Sequence, residues 1–382
     1  MQISISDVNR AARGALAGVA LTLAAAGVVG AQSTAQSTGQ PTASSAAQPA
    51  APSAQRTASQ WVISAPDAAL SWYAVLADLR LAGDGAFPLT RATAGAPATD
   101  AAQGRALAAV SGHEVLHFVP LYHPSADRAA LAAAVRAAAD STAVGAPPSG
   151  AGAGSASVSP RATLLVGALT QSLAARDRRA HLPALAAALE TRRAAAPAPE
   201  KLAVLQRALD SVVVPALAPW LALERLDRGR LLVVPAIGPE GRLFAGTQDR
   251  ADNLVAVGSF DGDADPLAPL HAFVREICFP AVSRATSAAR GFAVGDPAAS
   301  RRASIAAVRC GAALLDARSP AQAEAYRAFW LRQSAGASAN TGSGARPAAG
   351  ESTRAAFDRA FPVDAALSAA LDRAIARVKE AR

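Results

Sequence analysis

The sequence predicts an α+β fold that is mostly helical and contains one small β-sheet. Apolar residues recur at helical spacing through most of the chain, for example over 67–83, 163–177 and 201–226. β-type runs occur in only two regions, at 61–65 and across 230–260. Because so few strands are available, the helices are expected to supply most of the core.

The strand-rich region has a definite internal order. Residues 230–246 form two β-type runs around Gly238-Pro239-Glu240-Gly241, a turn signal that predicts a hairpin. A third β-type run covers 253–260, and an apolar helix is predicted within 261–282. In the preceding helical region, Pro215 is expected to kink or break the helix over 201–226.

The N-terminus has the features of an export signal. Arg10 and Arg13 precede an apolar run rich in Ala and Gly, and small residues stand at a possible cleavage point near Ala31. Residues 1–31 are therefore predicted to be a signal peptide, although a retained anchor stays open. The protein is expected in the periplasm or outside the cell, and not to span the membrane once the signal is cleaved.

The rest of the chain divides by composition into four further segments. Residues 32–58 are Ser, Thr, Gln, Ala and Pro with few large apolar groups, which predicts a disordered linker. Residues 59–140 are predicted to form an N-terminal α/β part, and 141–160 a flexible linker or insertion. Residues 161–382 are predicted to form a helical part that contains the rest of the small sheet.

The charge of the chain argues against nucleic acid as a partner. The formal net charge is +8. However, the arginines are scattered among Asp and Glu without interleaved aromatics, whereas a nucleic-acid footprint is a clustered stripe. A generally basic surface is expected instead, and a cell-envelope protein is a possible partner.

The two cysteines, Cys278 and Cys310, are expected to form a disulfide. An even pair in an exported chain is typical of a bridge. A reactive thiol or a metal ligand is the alternative.

The stretch HEVLHFVPLYH, residues 113–123, contains three of the five histidines. In a zinc peptidase, an HExxH helix places both histidines on one face and the glutamate next to the zinc-bound water. His113 and His117 would then be zinc ligands, Glu114 the general base and His123 a possible third ligand. Zinc would be the cofactor of this enzyme.

The spacing of this stretch resembles the metzincin motif, but two features depart from that family. Pro120 stands where the family has a glycine, and proline cannot adopt the positive φ that returns the third histidine to the metal. The family's later Met-turn has no counterpart because the chain has no methionine after Met1. The alternative is a half-buried segment leading into the 125–139 helix, with its histidines as ordinary polar partners.

A second candidate site lies in PLHAFVRE, within the predicted helix 265–283. The segment resembles the HEFxH helix of gluzincin-type exported metallopeptidases, with His271 at the first ligand position. Ala272 replaces the catalytic glutamate and Arg275 replaces the second histidine. The resemblance covers roughly 60–330 and also includes the order of strands and helices.

This resemblance implies a zincin-like arrangement that no longer holds zinc in the usual way. Arg275 places a fixed cation where the metal would lie, and it cannot deprotonate to become a ligand. His271, Arg275 and Glu276 would then be a vestigial site, in which Glu276 pairs with Arg275 or a neighbour. In the alternative, His271 and Glu276 are solvated and the helix packs through Phe273, Val274, Ile277 and Cys278.

Asp261, Asp263 and Asp265 alternate like the start of a calcium-binding loop. Such a loop would need Gly at 266 and Glu at 272, where this chain has Pro266 and Ala272. Helix capping is the preferred interpretation.

The sequence thus predicts an exported protein with an inactive zincin-like domain, no cofactor, and a binding or structural role. The alternative is an active zinc metallopeptidase that uses the HEVLH motif. Whether the protein is an enzyme stays open at this point.

Overall fold

The computed structural model describes residues 60–81, 100–124, 127–141, 160–246, 253–259, 265–288, 297–338 and 350–380. The predicted signal peptide and the 32–58 linker lie outside the described residues, as does nearly all of the 141–160 segment.

The sheet has four strands, and the prediction of a mostly helical chain with a small sheet is confirmed. The strands are β1 (Gln60–Ser64), β2 (Arg228–Val233), β3 (Arg242–Phe244) and β4 (Leu254–Val257). Their order is β1-β2-β4-β3, with β1, β2 and β4 parallel and β3 antiparallel to β4. Since β1 pairs with β2, the N-terminal and C-terminal parts of the chain share one sheet.

The predicted hairpin between β2 and β3 is wrong, because β4 lies between them. The residues Leu231–Val234 and Leu254–Val257 are all buried. Strands that are apolar on both faces are typical of parallel sheets covered on both sides, so β2 and β4 pair at the centre. The strand β3 carries Arg242 and is left at the edge.

Helices make up most of the rest of the described chain. The first half contains α1 (Asp67–Asp78), α2 (Asp100–Ala108), a 3₁₀ helix (His113–Phe118), α3 (Val119–Tyr122), α4 (Arg128–Asp140), α5 (Pro160–Ser172) and α6 (Ala175–Thr191). The second half contains α7 (Pro199–Ala208), a π turn (Leu209–Val213), α8 (Val214–Leu223), α9 (Ala268–Glu276), α10 (Phe279–Ala288), α11 (Pro297–Asp316), α12 (Pro320–Ser338), α13 (Thr353–Ala360) and α14 (Ala365–Glu380).

These helices cover the two faces of the sheet in chain order. Side chains of a strand alternate between faces, so Leu231 and Val233 enter one core while Leu232 and Val234 enter the other. The core with Leu232 is filled by α1 to α6, and the core with Leu231 by α7 to α14. The 113–123 segment therefore lies on one side of the sheet and α9 on the other.

Pro215 does not break its helix. The chain runs from α7 through the π turn into α8, and the π turn ends just before the proline. A π turn shifts the backbone hydrogen bonds by one residue, and this shift accommodates the N–H group that Pro215 lacks. In the described part of the chain, Pro199–Leu223 is the one helix long and apolar enough to cross a membrane, and 22% of its most apolar stretch is buried.

The predicted disulfide is also wrong: Cys278 and Cys310 are both free and buried. Both thiols lie within the α7–α14 core. Burial raises the pKa of the Cys278 thiol well above its usual value. The thiolate that disulfide exchange requires is therefore disfavoured here.

Candidate functional site

The HEVLH motif does not form an α-helix. Gly112 precedes it with a φ of 82°, and the segment then winds as a 3₁₀ helix. With three residues per turn, positions i and i+4 are rotated by about 120° around the axis. His113 and His117 therefore do not project from one face as they would in an α-helical HExxH. Their ring centroids lie 6.4 Å apart.

Two side chains of α1 hold the HEVLH segment by hydrogen bonds to the backbone carbonyls of that segment. The indole of Trp72 donates to the carbonyl of Leu116 at 2.8 Å, and the hydroxyl of Tyr73 donates to the carbonyl of His117 at 2.6 Å. Both aromatic residues are fully buried. Val115–Phe118 are therefore held inside the α1–α6 core, while His113 and Glu114 stay partly exposed.

His117 is fully buried and neither of its ring nitrogens has a hydrogen-bond partner. Burial lowers the pKa of this imidazole well below 6.5, and electrostatic interactions with Arg242 and His113 lower it further. The expectation that the histidines here serve as ordinary polar partners is wrong for His117. Its neutral ring behaves as a core side chain.

The other motif residues do not complete a metal site. The Nδ1 of His113 is 2.9 Å from the carbonyl of Val110, and the carboxylate of Glu114 is 3.6 Å from that same nitrogen. His123 ends α3, and burial lowers the pKa of its ring. Within the described residues, no group of three or more His, Cys, Asp or Glu side chains is placed to hold a metal ion.

His271 on α9 is buried and has an acidic partner. Its Nε2 lies 2.8 Å from the Oδ2 of Asp265, and its ring packs against Tyr326 and Phe329 of α12. This hydrogen bond lowers the pKa of the Asp265 carboxyl below its ordinary value. The other oxygen of Asp265 accepts the amide of Leu267 at 2.9 Å, just before α9. Asp261 and Asp263 lie outside the described residues.

Arg275 lies one turn beyond His271 and is fully buried. Its guanidinium donates to the carboxylate of Glu276, to that of Glu240 at 2.7 Å, and to the hydroxyl of Ser304 at 2.7 Å. Burial alone would lower the pKa of Arg275, but Glu276 and Glu240 outweigh it and the pKa is raised. Arg275 therefore remains a cation in the interior.

One further charged group, Arg242, lies next to the partners of Arg275. Arg242 of β3 approaches Glu240 to 4.0 Å, and its charge also acts on Glu276. The cluster of Glu240, Arg242, Arg275 and Glu276 thus brings two arginines and two glutamates together, and each member is less than a tenth exposed. We call it the α9 ion cluster. Burial raises the pKa of Glu276, although Arg275 and Arg242 oppose this effect.

Aromatic rings and one glycine shape the space of the α9 ion cluster. The guanidinium carbon of Arg275 lies 4.7 Å from the ring centre of Phe279 and 5.8 Å from that of Trp330. A Cβ on Gly241 would lie 2.9 Å from Glu276 Cγ and 2.6 Å from the carbonyl oxygen of Ala256. Gly241 therefore lets Glu276 reach the edge of β3.

The sequence identified part of this cluster and missed the rest. It predicted that Glu276 could pair with Arg275, and that Phe273, Val274, Ile277 and Cys278 would form a core stripe, which they do. The alternative in which His271 and Glu276 are solvated is wrong. Glu240, Arg242 and Ser304 were not predicted as members, and the Pro-Glu-Gly context of Glu240 suggested only a turn.

Comparison with known proteins provides no independent identification. No protein-family model, curated protein or solved structure matches this chain.

Proposed function

We propose that this protein is an exported, non-catalytic protein with a binding or structural role in the cell envelope. In this proposal its zincin-like domain has an ion cluster in place of a metal. The observation that carries the proposal is the full burial of Arg275, one helical turn from His271, with its charge neutralised by Glu240 and Glu276.

The chemistry of Arg275 supports a structural centre. Zinc ligands in proteins are thiolate, imidazole or carboxylate groups that can give up a proton. A guanidinium keeps its proton at any physiological pH and repels a divalent cation. Ala272, at the position of the general base, has no group that could activate water.

The surroundings of α9 support the zincin-like part of the proposal. The helix packs directly against β4, the strand that precedes it in the chain. His271 and Arg275 are four residues apart on a regular α-helix and both face α12, since His271 contacts Phe329 and Arg275 contacts Trp330. This is the one-face placement that an HExxH helix requires.

The second candidate is a zinc metallopeptidase that uses HEVLH. It is favoured by one observation: both ring nitrogens of His117 are unpartnered, as a metal ligand without its metal would be. The 3₁₀ geometry of the segment disfavours it, as does the placement of Glu114 against His113.

Converting Arg275 to a ligand tests the lead proposal. In Arg275→His, a second imidazole would stand four residues from His271, with the carboxylates of Glu240 and Glu276 nearby as further ligands. We expect this variant to acquire up to about one zinc per chain and to show a zinc-dependent rise in Tm. The matched control Arg275→Gln removes the same charge and supplies no ligand.

The outcomes of this experiment distinguish the two candidates. Zinc bound by Arg275→His, and by neither Arg275→Gln nor the parent, would support a zincin-like helix that has lost its metal. A folded Arg275→His variant that binds no zinc would contradict the zincin-like part. Zinc-dependent peptidase activity in the parent would contradict the non-catalytic part.

A further inference from the structure

The α7–α8 helix exposes a face that carries no charge. Around its π turn and along α8 the residues Val212, Pro215, Ala218, Pro219, Ala222 and Leu223 are partly or fully exposed. Their spacing of three or four residues places them along one side of the helix. We call this surface the α8 stripe. Val212 and Leu223 are 38% and 41% exposed, which is unusual for large apolar residues.

The other side of the same helix is committed to the core. Val213, Leu217, Trp220 and Leu221 are buried, and the indole of Trp220 donates to the carbonyl of Ile277 at 3.1 Å. Crossing a bilayer would require the helix to give up these core contacts, although its composition resembles that of a membrane span. With these contacts in place, the helix can only lie parallel to any surface that covers the α8 stripe.

The α8 stripe has an unpaired arginine at each end. Arg207 lies one turn before it on the same side of the helix, and Arg225 follows two residues after Leu223. Both residues are exposed, and neither guanidinium forms an ion pair or side-chain hydrogen bond with the described residues. The nearby carboxylate of Asp210 accepts hydrogen bonds from the amide of Gln206 at 3.0 Å. Asp210 is itself exposed and keeps its negative charge, so the borders of the stripe carry two cations, Arg207 and Arg225, against one anion.

We propose that the α8 stripe and its two arginines dock this protein onto an anionic lipid surface. An apolar helix face embedded at the headgroup boundary, with basic side chains reaching phosphates, is the physical pattern of an interfacial helix. The net charge of +8 adds attraction toward such a surface. This inference is independent of whether α9 once held zinc.

The size of the α8 stripe favours lipid over a stable protein partner. A surface of about six small and medium side chains amounts to a few hundred Å², on the order of the largest apolar patch on an ordinary monomer. Each partner in a stable protein–protein complex buries about 800 Å². An interfacial helix needs no such area, because the phosphate contacts of each basic residue add to the apolar term.

Vesicle binding tests this proposal. The exported form, beginning at Gln32 after the predicted cleavage, is sedimented with vesicles of phosphatidylethanolamine and phosphatidylglycerol, and separately with phosphatidylcholine vesicles. We expect binding to the anionic vesicles that weakens at high salt, and little binding to phosphatidylcholine.

Three variants locate the binding surface. Val212→Glu/Leu223→Glu places charges in the α8 stripe and is expected to lower the affinity for anionic vesicles at least tenfold. Arg207→Gln/Arg225→Asn removes both cations and is expected to lower it on the order of tenfold. Asparagine suits position 225 because its φ is 60°. The control Val62→Glu alters a valine of β1 that is 57% exposed on the opposite side of the sheet, and its binding should equal the parent's.

The remaining outcomes overturn the proposal. A parent chain that binds neither kind of vesicle, or folded stripe variants that bind as well as the parent, would exclude the α8 stripe as a lipid-docking surface. Sedimentation equilibrium tests whether a second copy of the protein covers the α8 stripe. Self-association of the parent that is lost in Val212→Glu/Leu223→Glu would show that a second copy, not lipid, covers the stripe.

Discussion

The two histidine segments on opposite sides of the sheet differ in a way that their sequences do not suggest. HEVLH has every residue of a zinc-peptidase motif, yet it winds as a 3₁₀ helix and His117 has no polar partner. PLHAFVR lacks two of those residues, yet it lies on a regular α-helix and joins a group of buried charged side chains. Residue spacing predicts a site only when the backbone has the period that the spacing assumes.

The same contrast applies to the polar groups themselves. His117 is buried in its neutral form, since burial lowers its pKa and no carboxylate contacts its ring. Arg275 is buried as a cation, since two carboxylates surround it. An apolar side chain should therefore be tolerated in place of His117 but not in place of Arg275.

Replacing Arg275 by leucine is expected to have the largest effect. It would remove the cation that contacts both Glu240 and Glu276, two carboxyl groups that are only 3% and 2% exposed. Removing one partner from a buried ion pair typically costs about 3–5 kcal/mol. Urea unfolding of Arg275→Leu at neutral pH would measure this loss.

An exposed ion pair provides the matched control for Arg275. Arg354 pairs with Asp316 at 2.8 Å, and its side chain is 60% exposed. Because solvent screens such a pair, Arg354→Leu should cost less than about 1 kcal/mol. Equal losses for the two variants would mean that the α9 ion cluster does not stabilise the fold as described.

Gly241 tests how closely Glu276 approaches the sheet edge. The Cβ of Gly241→Ala would come within 2.6 Å of the Ala256 carbonyl oxygen, so β3 or α9 must move. We expect a loss of about 2 kcal/mol, as is usual when a packed site is overfilled. Gly167→Ala is the control: nothing lies within 4 Å of its added Cβ, and alanine in a helix should stabilise by up to about 1 kcal/mol. An unchanged free energy of unfolding in Gly241→Ala would contradict the close approach of Glu276 to Gly241.

His117 is expected to show the smallest effect, and one that depends on pH. Since both ring nitrogens lack partners, His117→Leu should change the free energy of unfolding by less than about 1 kcal/mol at pH 8. In the parent, the unfolded chain takes up a proton near pH 6.5 while the folded ring stays neutral. Stability therefore falls as the pH drops, by about 1 kcal/mol between pH 6.5 and 5.5 from this residue.

Measuring the free energy of unfolding at pH 6.5 and at pH 5.5, in the parent and in His117→Leu, would isolate the contribution of His117 to the pH dependence. The variant should lose less stability than the parent on acidification. Equal pH dependence would show that His117 is solvated or hydrogen-bonded in the native protein, and the contrast with Arg275 would disappear.

Local patterns in the sequence predicted the elements well and their long-range pairing poorly. The β-type runs at 61–65 and 253–260 correspond to β1 and β4, and the helical spacing over 67–83 corresponds to α1. The insertion of β4 between β2 and β3 depends on which strands can be covered on both faces, and a turn signal carries no information about that. The π turn before Pro215 lets the helix continue through the proline, an outcome that the rule for proline in a helix interior did not specify.

The candidate site divides in the same way. Adjacency in sequence was enough to suggest the Arg275–Glu276 pair. Glu240 is 35 positions away from Arg275 in sequence and Ser304 is 29 positions away. Only the folded chain brings them together. For Cys278 and Cys310 the sequence instead predicted a bond that the fold does not form. An even cysteine count predicts a disulfide without reference to the chemistry of a buried thiol.

The central claim is that the α9 ion cluster takes the place of a metal and that HEVLH is a core segment. Bound zinc, measured by elemental analysis on the exported form purified without chelator, tests it most directly. We predict well under one-tenth of a zinc per chain, unchanged in His113→Asn/His117→Asn. Near-stoichiometric zinc that this double variant loses would contradict the claim and make HEVLH a working metal site.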